Sequence, residues 1–138
     1  MANRSLTTRF AHILERIGLA MAGASCGLFV SAHVARTGSE VVASPTAFFA
    51  MTFFGALGFY LGIDIPPHTA LAGKVDAAEL LSAIGTFIAA VGALASVYNI
   101  VADANPQVFA TLFVGFLWLL GVAMQIVAGA IARIRALT

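Results

Sequence analysis

The chain has 138 residues, of which 61% are hydrophobic and 9% charged. Soluble domains average about 45–50% apolar and about 25% charged, so this composition excludes a soluble globular domain, a disordered segment and a nucleic-acid-binding module. A net charge of +1 implies no acidic partner, and a single cysteine excludes an internal disulfide framework or a multi-cysteine zinc site.

A helix that crosses a bilayer needs about 20 mostly apolar residues. Four stretches qualify: Ile17 to Ala35, Pro45 to Ile63, Leu80 to Val101 and Pro106 to Ala132. None has Lys, Arg, Asp or Glu in its interior. The expected fold is therefore all-α, an integral membrane bundle of four transmembrane helices in one domain, with the lipid bilayer as its first partner. The first span resembles a signal peptide in its Arg-containing start and apolar run, but no small-x-small cleavage signal stands at Ala32 to Ala35. A retained first helix is expected.

Local signals mark the helix ends. Ser44-Pro45 reads as an N-cap followed by proline at the first helical position, where the missing N–H costs nothing. Asn105-Pro106 repeats that arrangement before the fourth span. The second span is expected to stop at Asp64-Ile65-Pro66-Pro67. Asp76 and Glu79 resemble a capping box that starts the third helix near Ala77. The loops at 36–44, 64–76 and 102–105 are short, which makes consecutive helices antiparallel neighbours. A shift of 67 residues aligns Ile17-Gly18 with Ile84-Gly85 and Val34-Ala35 with Val101-Ala102, the trace of a parallel repeat of two hairpins.

Orientation follows from Lys and Arg in the flanks. Arg4, Arg9, Arg16, Lys74, Arg133 and Arg135 fall on one side and Arg36 on the other. Six of seven positive charges thus place both termini in the cytoplasm, and the compact design points to a bacterial inner (plasma) membrane.

In lipid, helices associate through close packing and hydrogen bonds, so their interfaces favour small residues. The third span carries Gly85, Ala89, Gly92, Ser96, Asn99 and Asp103 at spacings of 4, 3, 4, 3 and 4, which is one helical face. The fourth offers Trp118, Gly121, Gln125, Ala128, Gly129 and Ala132. The second has Met51, Gly55, Gly58 and Gly62, and the first Ala20, Gly23 and Gly27. Phe48, Phe53, Phe59, Phe109, Phe113 and Phe116 stand on the opposite faces. The small faces predict tight helix packing. The competing reading is a pore lined by Ser96, Asn99 and Gln125.

No ionisable residue lies at mid-depth, where proton-coupled carriers need one. Gln125 is the deepest strongly polar side chain, and an interhelical hydrogen bond is its expected role. His33 and Asp103 fall near one end of their spans and form a polar cluster with Arg36, Glu40 and Asn99; a His33–Asp103 pair would suit a cation or an enzyme site. Cys26 and Ser25 have no base nearby in sequence. His12, His33 and His68 do not match in depth, which excludes a haem ligand pair, and no cofactor is expected. The function expected is non-enzymatic: helix–helix contact with other transmembrane helices, as an accessory or assembly subunit or a self-associating bundle. The alternative is a small oligomeric channel, transporter or holin-like pore former.

Overall fold

A computed structural model describes residues 6–62 and 77–138. They form four helices: α1 (Leu6–Ala35), α2 (Pro45–Gly62), α3 (Ala77–Val101) and α4 (Val108–Leu137). All four are long and apolar enough to cross a membrane, α1 from Ile13 onward. The 18 residues of α2 rise about 27 Å, close to a hydrocarbon core of about 30 Å. The helix stop at Asp64–Pro67, the Asp76 half of the capping box, His68 and Lys74 lie outside the described residues, as does Arg4.

Helix ends follow local chemistry with one exception. Ser44 caps α2: its Oγ accepts the Ala47 N–H at 3.2 Å, three residues into the helix, with Pro45 at the first position. The expected start of the fourth helix at Pro106 is corrected. Gln107, at ψ 146°, precedes the first helical residue Val108, and no side chain caps that end. Pro106 lies outside the helix and lines a cavity together with His33 and Thr37. At the outer ends of the sequence, α1 and α4 run well past their apolar spans of 17–35 and 106–132.

α3 ends in a Schellman motif. The Ala104 N–H reaches the Asn99 carbonyl at 3.0 Å and the Asp103 N–H reaches the Ile100 carbonyl at 3.3 Å. The motif needs a left-handed residue, usually glycine, and here Asp103 takes it with φ 46°.

α1 packs mainly on α2 and α3 on α4, forming two antiparallel hairpins. The hairpins meet through α2 against α4 and α1 against α3, both parallel pairs, while α1–α4 and α2–α3 are the weak diagonals. The perimeter order is therefore α1, α2, α4, α3. Gly23 packs on Gly55 and Ala89 on Gly121, pairs related by a shift of 66 residues.

The small-residue stripes meet one another inside the chain. Gly27 lies on Met51, Gly58 on Val122, Gly62 on Gln125, Gly85 on Gly121, and Gly92 on Trp118. Between them Val30, Ala89, Trp118, Val122 and Ala128 are buried. Phe53, Phe109, Phe113 and Phe116 face outward, with Phe109 80% exposed. Phe48 and Phe59 are only half-buried positions, and the Phe59 Cβ lies against Gly23.

Candidate functional site

Two polar clusters sit at opposite ends of the bundle. The first gathers on the last turn of α2, at the end where α1 begins and α4 ends. A helix leaves its final carbonyls without intrahelical partners. Here each remaining helix supplies one donor. Arg16 of α1 donates to the Tyr60 carbonyl at 3.3 Å, Arg133 of α4 to the Leu61 carbonyl at 3.0 Å, and Ser82 of α3 to the Gly62 carbonyl at 2.6 Å. Arg133 also donates to the Gly129 carbonyl of its own helix at 3.0 Å, and the Arg16 guanidinium lies 4.8 Å from the Tyr60 ring centroid. Two cations at a helix C-terminus also complement its dipole. A cavity of about 420 Å³ opens beside them, lined by Ile13, Arg16, Ile17, Tyr60 and Arg133. Sequence reasoning placed these arginines on one side but not on these carbonyls, because a backbone acceptor leaves no mark in a sequence.

The second cluster lies at the opposite end, where α1 and α3 run side by side. His33, 1% exposed, holds its Nδ1 3.2 Å from the Ser96 Oγ. One α1 turn on, Arg36 donates from Nη1 to the Asn99 carbonyl at 3.2 Å and from Nη2 to the Asp103 carboxylate at 3.0 Å. Arg36 thereby ties the end of α1 to the end of α3. Topology alone put His33 and Asp103 on one side, but the structure does not join them. Asp103 pairs with Arg36 at the surface, 92% exposed, while His33 turns inward to Ser96. Among the described residues no group of three or more His, Cys, Asp or Glu is placed to hold a metal ion.

The Arg36–Asp103 pair is exposed, and such pairs contribute about 0–1 kcal/mol. A left-handed non-glycine residue costs about 1–2 kcal/mol, less for Asp than for most. Asp103→Gly is therefore expected to leave stability unchanged or raise it by up to about 1 kcal/mol, read by SDS-titrated unfolding in mixed micelles. A clear loss would mean that the ion pair outweighs the backbone term.

Of the side chains expected to line a pore, Ser96 and Gln125 are each bonded to another helix of this chain. Ser96 is bonded to His33, and the Asn99 carbonyl takes Arg36. Gln125, fully buried, donates from Nε2 to the Thr86 Oγ1 at 2.9 Å. Thr86 and Ser96 are ten residues apart on α3, about 15 Å along its axis. Besides His33 Nε2, the buried polar atoms Ser31 Oγ, Thr37 Oγ1, Trp118 Nε1 and Gln125 Oε1 have no hydrogen-bond partner among the described residues.

The described residues form four helices of a length and hydropathy that suit a multi-pass membrane protein. No family model, curated protein or solved structure matches the chain.

Proposed function

We propose that the chain is a non-enzymatic protein of a bacterial inner membrane that works through its outer helix faces, as an accessory or assembly subunit or a self-associating bundle. The observation that carries this reading is that the small-residue faces close on each other within one chain, and Ser96 and Gln125 are tied into separate helix contacts. What remains for other molecules is the outer surface, with Phe49, Phe87, Leu94 and Phe109 on it. In a bilayer, lipid tails and neighbouring helices cover such a surface. Both termini face the cytoplasm in this reading, supported by Arg16, Arg133 and Arg135 at one end of the bundle against Arg36 at the other.

Native mass spectrometry from gently solubilised membranes, with crosslinking before extraction, tests the reading. The expected result is a complex of fixed stoichiometry, with a second subunit or with further copies. A monomer that captures no neighbour overturns it. A closed homo-oligomer that passes ions in liposomes replaces it with the channel reading.

A further inference from the structure

The end of the bundle where α1 begins and α4 ends holds the cavity of about 420 Å³ lined by Ile13, Arg16, Ile17, Tyr60 and Arg133. Space for one water takes about 10–15 Å³ on this measure, so roughly thirty waters or a group of many atoms would fill it, and a single simple ion would not. Its lining is of two kinds. Arg16 and Arg133 bring guanidinium groups, which carry N–H donors and no acceptor. Ile13 and Ile17 bring apolar side chains, 57% and 50% exposed. Beyond Ile17 the exposed Met21 and Leu28 continue the same face of α1 toward the middle of the span.

Charge decides which group of that size the space accepts. By sequence this end of the bundle gathers six Lys and Arg against four carboxylates, Glu15, Asp64, Asp76 and Glu79. Were each carboxylate to take one cation, two positive charges would still remain, so the excess does not depend on either arginine lacking a partner. The Tyr60, Leu61 and Gly62 carbonyls at the end of α2 would repel an anion, but each is taken up by a donor. A guanidinium has five N–H groups, and those carbonyls and Gly129 engage one on Arg16 and two on Arg133. Its planar fork matches the oxygens of a phosphate.

We propose that this cavity binds the headgroup phosphate of one anionic phospholipid, with Arg16 and Arg133 on the phosphate oxygens and an acyl chain along Ile17, Met21 and Leu28. The inference rests on the helices lying in a bilayer and not on any partner subunit. Basic pockets between transmembrane helices are suited to anionic headgroups. A lipid bound there links α1 to α4, a diagonal pair that otherwise touches little.

The test uses the full chain, stripped of lipid in a neutral detergent at mildly alkaline pH. It is titrated with phosphatidylglycerol or with phosphatidylcholine of the same acyl chains, and bound lipids are counted by native mass spectrometry. One phosphatidylglycerol is expected to bind about tenfold tighter than phosphatidylcholine, since a basic residue near the headgroups contributes about fivefold. Arg16→Gln and Ile13→Glu are each expected to lower that preference about fivefold, the first by removing a cation and the second by setting a carboxylate in the lining. Ile13→Glu leaves the arginine bonds to α2 in place, so it reads the site even where Arg16→Gln does not fold. Equal binding of the two lipids by the wild type, or an unchanged preference in Ile13→Glu, overturns the proposal. Displacement of the lipid by millimolar inorganic phosphate also overturns it, because the site would then be one for a free anion.

Discussion

Gly121→Val is expected to destabilise the protein by about 3 kcal/mol, or to prevent recovery of folded material from the membrane. A Cβ at residue 121 would stand 2.5 Å from the Ala89 nitrogen and 2.6 Å from the Gly85 carbonyl oxygen. Both are backbone atoms of α3, so no rotamer change relieves the overlap and the helices must move apart. Separation then costs the contacts on either side, because Gly85 and Gly92 also depend on the closeness of α4. In lipid this loss is not offset elsewhere: apolar side chains gain little by leaving lipid tails, and tight packing is what holds helices together. SDS-titrated unfolding measures the effect. Gly18→Val serves as the control, since a Cβ at Gly18 meets nothing within 4 Å and is expected to change little.

Trp118→Ala is the second large effect. Trp118 is fully buried, with Gly92 and Gly55 against it and the Phe54 ring at 6.2 Å and 67°. It therefore fills the space between both hairpins. In soluble cores the loss of a buried Trp costs about 3–5 kcal/mol, part of it from transfer out of water. That part is absent for a helix already in lipid, so a loss of about 3 kcal/mol is expected, at the low end of the range. The same unfolding assay reads it. A loss below about 1 kcal/mol would mean that the bundle collapses onto the space or that Trp118 does not lie at its centre.

The small-residue faces were legible in the sequence because they obey helical spacing. Gly85, Ala89, Gly92 and Ser96 lie on one side of α3 and all are buried, as are Gly23, Gly27, Gly58, Gly62, Gly121 and Gln125 on their own helices. What spacing does not reveal is which stripe faces which. Hairpin neighbours follow from short loops, but the pairing of α1 with α3 and α2 with α4 is a choice between two ways of docking the hairpins. The clamp of Arg16, Arg133 and Ser82 on the carbonyls of α2 depends on that choice, and so does the Arg36 bridge to Asn99 and Asp103. Asp103 was read as a possible partner of His33 because the two share an end of the bundle. Its left-handed backbone ends α3 instead and turns the carboxylate to the surface. Asn105-Pro106 carried a sound local capping signal, yet α4 begins two residues later, at Val108, with no side-chain cap.

The central claim is that one chain closes all four helices on itself through the α1–α3 and α2–α4 contacts. Two hairpins that instead exchange partners between copies would show nearly the same sequence pattern. Thr37 and Ala104 line the same cavity, one after α1 and one after α3. Cysteines at these two positions, in a chain carrying Cys26→Ser, allow a short bifunctional thiol reagent to bridge them. The decisive measurement is mass spectrometry of the bridged 37–104 peptides from light and heavy isotope-labelled copies made separately, mixed unfolded in SDS and refolded together. A chain closed on itself predicts only light–light and heavy–heavy bridges. Mixed light–heavy bridges would show that α1 meets α3 across copies and would contradict the account.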